Sequence, residues 1–167
     1  MFGQFIRFFK KVFALKGISK KDIALSSLGT VCIVFFARIL HSFYFTSDYG
    51  IEPQGGIVEI SNILSNSSHP LFLKTVFLVC LYAPIIEELI FRGGLWSLLR
   101  LFFSKTYVIF ISSLIFAIAH GDLGHMIGVF PIAIWLGFLR ARSGSALAPM
   151  IGHLVNNSLI TCFIAFG

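Results

Sequence analysis

Long apolar segments alternate with short polar or glycine-containing segments along most of the chain. A helix needs about 20 predominantly apolar residues to cross a hydrocarbon core of about 30 Å, and this alternation is typical of membrane helices. The pattern predicts an all-α, polytopic membrane helix bundle of about five membrane-embedded helices. We place these helices at residues 23–45, 70–103, 106–120, 125–139 and 146–166.

The second predicted helix carries residues that interfere with regular helix geometry. Pro84 lacks the backbone N–H that an α-helix uses, and Gly93 and Gly94 favour bending. Unbroken, residues 70–103 would form a rod of about 50 Å, which exceeds the thickness of the hydrocarbon core. We therefore expect tilt, a kink or a split at Pro84 or at the glycine pair.

The N-terminal segment 1–22 is basic and amphipathic, and we predict that it is separate from a single transmembrane domain at 23–167. On a helical wheel its apolar and polar residues fall on opposite sides, which predicts a helix lying at the membrane surface. The apolar side comprises Phe2, Phe5, Ile6, Phe9, Val12 and Phe13, and the polar side Gln4, Arg7, Lys10 and Lys11.

Composition and charge exclude a soluble protein and argue against nucleic-acid binding. Charged residues make up 12% of the chain and hydrophobic residues 57%, whereas an average soluble protein is about 25% charged. An anionic membrane surface explains the N-terminal basic cluster better than nucleic acid does. The positive-inside rule then predicts a cytoplasmic N-terminus and outward-facing segments at 46–69 and 121–124. The same rule places on the cytoplasmic side four basic residues that we predict between the membrane helices: Arg100, Lys105, Arg140 and Arg142.

Three of the predicted helices each carry a pair of residues four positions apart within an apolar segment. Side chains at i and i+4 lie on one helix face, so each pair points in one direction. At about 1.5 Å per residue, four polar residues lie about 16 to 22 Å from the nearest cytoplasmic basic residue, in one layer of the membrane: Glu87, His120, His153 and Asn157. The pairs are Glu88 with Arg92, Phe116 with His120, and His153 with Asn157, and Glu87 stands beside the first pair.

Two adjacent carboxylates in a membrane helix need a physical explanation, because each costs about 2.5–3.5 kcal/mol near the bilayer centre on insertion scales. Arg92 lies one turn from Glu88, where a bidentate ion pair forms easily. Glu87 points about 100° away and has no such partner on its own helix. We therefore predict a structural ion pair of Glu88 with Arg92 and a reactive role for Glu87.

The remaining polar residues fit the hydrolysis of a peptide bond. An unpaired carboxylate in an apolar site suits a general base, so Glu87 and His120 could together deprotonate a bound water. His153 and Asn157 could then donate hydrogen bonds to the oxyanion that forms when the water attacks a peptide carbonyl. The predicted catalytic residues are therefore Glu87, His120, His153 and Asn157.

These motifs resemble those of the CPBP family, the CAAX protease and bacteriocin-processing (Abi) intramembrane endopeptidases. Residues 87–93 match its E-E-x-x-x-R motif, residues 116–120 its F-x-x-x-H motif and residues 153–157 its H-x-x-x-N/D motif. The stretch 136–152 resembles the segment that leads into the last motif. All three motifs occur in the family's order and with similar spacing, within residues 84–157.

The resemblance implies a multi-spanning helical peptidase that cleaves near the membrane, with the roles given above for its four catalytic residues. It implies a bacterial cytoplasmic membrane as the location, membrane lipids as the surroundings and a membrane-associated peptide or protein as the substrate. The short chain argues against a CAAX-prenyl substrate. Its size is similar to that of bacterial members linked to peptide processing, immunity or secretion.

The sequence is compatible with both a metal-dependent and a metal-free peptidase. The CPBP family has been described both as metal-dependent and as glutamate-dependent without a metal. Glu87, His120 and His153 are residue types that could bind zinc, yet the chain has no H-E-x-x-H or similarly dense ligand spacing. We favour water activation by Glu87 and keep zinc as the alternative cofactor.

Two other functions are compatible with the same residues. A proton- or ion-conducting membrane protein could use Glu87 and the two histidines as a relay, although the amide of Asn157 does not titrate. A catalytically idle member of the family could instead bind and sequester a partner peptide, as an immunity protein would.

Overall fold

The computed structural model describes residues 17–44, 60, 62–64, 68–121 and 123–166. The predicted all-α membrane helix bundle is confirmed, and no strand occurs in these ranges. Most of the predicted surface helix at 1–22 lies outside the described residues. The long helices are α1 (Lys20–Tyr44), α2 (His69–Leu99), α3 (Lys105–Ile118), α4 (Leu123–Ser143) and α5 (Leu147–Phe166).

Length and surface both identify a membrane protein. Among the described residues, α2, α4 and α5 are long and apolar enough to cross a membrane. Helix α1 has 25 residues, or about 37 Å at 1.5 Å per residue. Large apolar side chains cover the outside of these helices, as contact with lipid requires; examples are Leu28, Leu73, Ile90 and Leu98.

Small residues bring the helices of the bundle close together, as is common in membranes. A Cβ atom on Gly152 of α5 would lie 3.0 Å from the hydroxyl oxygen of Thr30 on α1. The same hydroxyl accepts a 3.0 Å hydrogen bond from the indole nitrogen of Trp135 on α4. Helices α1, α4 and α5 therefore meet around Thr30, next to a buried apolar cluster. That cluster contains Ile132, Leu136, Leu139 and Ala148.

Helix α2 is continuous, but it contains two wide, π-helical turns. These turns span Leu78–Tyr82 and Leu89–Leu95 and flank the α-helical turn Ala83–Glu88. Pro84 is the second residue after the first wide turn, and Gly93 and Gly94 lie in the second. The disturbance expected at the proline and at the glycine pair is therefore a change of helix type rather than a split, because a wider turn tolerates the missing N–H of proline.

Two helix ends differ from the sequence-based prediction. Helix α3 ends at Ile118, so His120 lies in the turn that follows and not in the helix. Helix α4 runs to Ser143 and is ended by Gly144, whose φ of 66° is in the left-handed region. Arg140 and Arg142 therefore lie in the last turns of α4 and not between helices, which corrects our placement of them.

Candidate active site

Glu88 and Arg92 form an ion pair on the buried face of α2. The Glu88 carboxylate lies 2.9 Å from the Arg92 guanidinium, and both side chains are fully buried. A second guanidinium nitrogen donates a 2.9 Å hydrogen bond to the carbonyl of Ala133 on α4. The guanidinium also lies over the ring of Phe116, 4.4 Å from its centroid. Arg92 therefore joins α2, α3 and α4 as well as neutralising Glu88.

Glu88 also holds His153 of α5. The same Glu88 oxygen that accepts from Arg92 lies 2.9 Å from Nδ1 of the imidazole. Because an ionised carboxylate only accepts hydrogen bonds, Nδ1 carries the proton in this contact. Our sequence reasoning paired Glu88 only with Arg92, since i, i+4 spacing reports neighbours on one helix and says nothing about a partner on another.

Glu87 is on a more open face of α2 than Glu88. Its side chain is 32% exposed, and its carboxylate lies 3.8 Å from Nε2 of His153. The imidazole of His153 is itself buried and faces the two neighbouring carboxylates with its two nitrogens. The structure therefore brings Glu87 and His153 together, at a separation that is suited to an ionic contact and is too long for a hydrogen bond.

His120 is fixed by the end of α3. Its Nδ1 lies 2.8 Å from the carbonyl oxygen of Phe116, one of the helix-terminal carbonyls that lack a partner within the helix. A carbonyl only accepts, so Nδ1 donates, and in the neutral ring Nε2 is then free to accept a proton. The Phe116 ring contacts both histidines, with centroid distances of 4.7 Å to His120 and 5.7 Å to His153.

Asn157 is bound to the first wide turn of α2. Its side-chain nitrogen donates a 2.9 Å hydrogen bond to the carbonyl of Val79. Its side-chain oxygen accepts a 3.0 Å hydrogen bond from Asn156. One N–H of the Asn157 amide is thus engaged, and the amide offers a second.

Arg140 was missed as a contributor to the site because it resembled an ordinary basic residue at a membrane boundary. It is buried, and its Nε donates a 2.7 Å hydrogen bond to the carbonyl of Arg92. Its guanidinium lies 5.3 Å from the ring of Trp96. The sequence signal was its position among the glycine, alanine and serine residues of 136–146, which does not distinguish a buried arginine from a surface one.

Glu87, His120 and His153 are the alternative ligands of a metal ion that the sequence predicts. Within the ranges that the structure describes, no three His, Cys, Asp or Glu side chains lie close enough together to hold a metal ion. A catalytic zinc usually has three protein ligands. Zinc binding by Glu87, His120 and His153 stays a prediction, and the test of metal dependence is a chelation experiment.

Comparisons with known proteins agree with the motifs. A family model described as "Type II CAAX prenyl endopeptidase Rce1-like" matches residues 69–159, which include all the residues proposed for the site. The chain is 27% identical over 150 residues to a protein of Bacillus subtilis (strain 168) named "Putative membrane peptidase YdiL".

That alignment covers 87% of this chain and 59% of the relative, so the chain spans about three fifths of the relative's length. No solved structure shows a significant match. The family model covers more than half of the chain. The resemblance suggested by the three motifs is thereby confirmed, and the chain belongs to the Rce1-like family of type II CAAX prenyl endopeptidases.

Proposed function

We propose that this protein is an intramembrane endopeptidase that hydrolyses a peptide bond of a membrane-associated peptide or protein. The observation that carries the proposal is the position of His153, whose two ring nitrogens face Glu87 and Glu88. The two carboxylates differ in burial and in partners, so one can react while the other holds the site together.

Water activation falls to Glu87 and His120. The partly open Glu87 carboxylate can only accept protons, and Nε2 of His120 is an acceptor because its Nδ1–H is committed to Phe116. A water held by either group donates its proton as its oxygen forms a bond to the carbonyl carbon of the substrate. The same proton then passes to the leaving amine when the C–N bond breaks, so Glu87 and His120 end the reaction unchanged.

His153 and Asn157 stabilise the oxyanion. Nδ1 of His153 donates to Glu88, so Nε2 can donate to a substrate oxygen only when the ring carries both protons. In that state the site contains two negative and two positive groups, so it has no net charge, which suits an apolar membrane interior. These groups are Glu87, Glu88, Arg92 and His153. The second N–H of the Asn157 amide supplies the other donor.

The surroundings of the reaction are also part of the proposal. We infer that the protein lies in a bacterial cytoplasmic membrane with its N-terminus in the cytoplasm, and that it acts among membrane lipids. The family description, which names CAAX prenyl endopeptidases, gives a prenylated peptide as one candidate substrate class, and an unprenylated membrane peptide is the other.

The proposal is tested with Glu87→Gln and His120→Ala, and with His69→Ala as a control for an exposed histidine outside the site. New peptide N-termini are labelled and identified in membranes that contain the wild type or the Glu87→Gln variant. Peptides found in this way, and a farnesylated CAAX peptide, are then assayed in proteoliposomes. We expect both site variants to reduce cleavage by about 10²–10⁴-fold and the control to cleave normally.

Cleavage that persists undiminished in both folded site variants would refute the assignment. The same proteoliposomes test the alternatives, because a relay would give pH-dependent ion flux that Glu87→Gln abolishes. A sequestering protein would still bind peptide in the Glu87→Gln variant, and the wild type would release no products.

Metal dependence has its own test. Because Glu87 and His120 activate water in this mechanism without an ion, we expect cleavage to continue after chelation and dialysis. Loss of cleavage on chelation, with recovery on adding zinc alone, would show that the metal-free version of the mechanism is wrong.

A further inference from the structure

The first wide turn of α2 contains a carbonyl that its own helix does not pair in the α-helical manner. In an α-helix the N–H of Ala83 would donate to the carbonyl of Val79. Here it donates to the carbonyl of Leu78, five residues back. The next residue, Pro84, has no N–H to offer. The Val79 carbonyl is therefore left for a donor from outside the helix.

Asn157 supplies that donor. Its side-chain nitrogen lies 2.9 Å from the Val79 oxygen. Cys80, in the same wide turn, contacts α5 as well, with its sulfur 3.3 Å from the hydroxyl of Thr161. Helix α5 is thus held against this turn at two neighbouring residues.

We propose that Pro84 is a positioning residue that orients Asn157 for catalysis. The inference rests on the proposed peptidase function, and it assigns Pro84 a role that acts only through Asn157. Because Pro84 withholds a main-chain donor, the Val79 carbonyl fixes the amide nitrogen of Asn157 toward α2, and Asn156 fixes its oxygen. The amide cannot rotate by 180° without losing both contacts, so its second N–H keeps one direction.

The second wide turn of α2 supports this interpretation, because it uses the same arrangement at different residues. The N–H of Trp96 would donate to the Arg92 carbonyl in an α-helix, and it donates instead to the carbonyls of Gly93 and Phe91. The Arg92 carbonyl accepts from Arg140 of α4. In both turns, a carbonyl displaced from the α-helical pattern binds a polar side chain of a neighbouring helix.

A double-mutant cycle tests the proposal without a substrate. Unfolding of the full chain in mixed micelles with increasing SDS is followed by tryptophan fluorescence for the wild type, Pro84→Ala, Asn157→Ala and the double variant. We expect Asn157→Ala to lower the folding equilibrium constant about tenfold in the wild-type background, because the Val79 carbonyl loses its donor. In the Pro84→Ala background we expect about a twofold effect or less, because residue 84 or 83 then gives that carbonyl a main-chain donor.

Pro131→Ala is the matched control. Pro131 also lies inside a helix, α4, and replacing it also restores one N–H. Asn157→Ala should cost the same in the Pro131→Ala background as in the wild type. Equal costs of Asn157→Ala in the wild-type and Pro84→Ala backgrounds would overturn the proposal.

The cleavage assay tests whether Pro84 affects catalysis through Asn157. In a peptide that the wild type cleaves, Pro84→Ala should lower kcat at least fivefold with KM changed less than twofold, since Asn157 acts on the transition state. In the double variant, Asn157→Ala should add little to that loss. An unchanged kcat for Pro84→Ala would overturn the positioning role. Cleavage that Glu87→Gln does not affect would instead refute the proposed function, and the stability cycle would still decide whether Pro84 orients Asn157.

Discussion

The two adjacent carboxylates of α2 have opposite surroundings. Glu88 is fully buried and contacts Arg92 and His153 at 2.9 Å each. Glu87 is partly exposed, and its carboxylate lies 3.8 Å from Nε2 of His153. Successive residues of a helix point about 100° apart, so one residue step moves a side chain from a packed face to an open one. Position on the helix, and not residue type, therefore sets the different burial and contacts of these two carboxylates.

The largest expected effect comes from removing Glu88, the buried one of the two carboxylates. Glu88→Ala leaves the Arg92 guanidinium buried without its partner and removes the acceptor of His153, so we expect the free energy of unfolding to fall by about 3–5 kcal/mol. Glu87→Ala removes a partly exposed group, and we expect a change of about 0.5 kcal/mol or less. SDS unfolding of both variants in mixed micelles measures the difference. Equal losses for the two alanine variants would show that the division between the two faces of α2 is wrong.

A smaller effect tests whether the buried face of α2 needs the guanidinium of Arg92 or only its positive charge. Lysine keeps the charge of Arg92 but lacks the planar fork that reaches both Glu88 and the Ala133 carbonyl. We expect Arg92→Lys to lower the free energy of unfolding by about 1–3 kcal/mol, through the loss of one charge-assisted hydrogen bond. Arg100→Lys, on an exposed arginine just beyond the same helix, is the matched control and should be nearly neutral. If both lysine variants had the same stability, the fork geometry would be irrelevant.

The smallest effect concerns a third carboxylate, at the start of α1 and before its apolar residues. A 2.7 Å hydrogen bond from the Ser19 hydroxyl, with a lesser contribution from Arg142 at 3.4 Å, lowers the pKa of Asp22 below its usual value of 3.8. A lowered pKa in the folded state contributes stability above the unfolded value, and this contribution is lost as pH falls through the folded pKa.

Unfolding measured between pH 3 and pH 6 should therefore depend slightly less on pH in Asp22→Asn than in the wild type. Arg142→Gln should keep most of the wild-type dependence, because Ser19 is the main cause of the pKa shift. If the Asp22→Asn and wild-type curves had the same slope, this contribution would be refuted.

The helix bundle and the pairing of residues on one helix face followed from the sequence because apolar length and i, i+4 spacing are local properties. The pairing of Glu88 with Arg92 is of this kind, since both residues lie on one helix. The Glu88 contact with His153 and the Val79 contact with Asn157 join different helices. They depend on how each helix is rotated and packed, which a single sequence does not specify.

Local sequence information was also insufficient to predict where α3 ends. His120 was placed on the helix face of Phe116, and it lies instead in the turn after Ile118. Its contact with Phe116 is retained through the backbone carbonyl of that residue. A periodic pattern could not distinguish these two arrangements, because both bring residues four apart into contact.

The wide turns give α2 a property that a regular helix lacks. A π-helical hydrogen bond joins residues five apart instead of four, so each wide turn contains one residue more than an α-helical turn. The side chains after such a turn therefore point in directions that a constant helical period would not give. Helix α2 therefore consists of three α-helical segments joined by two wide turns. Its N-terminal part faces α5 at Val79, and its C-terminal part faces α4 at Arg92. A single segment thus serves two differently placed neighbours, and a period of 3.6 residues drawn through its whole length would misassign which of its sides meets lipid.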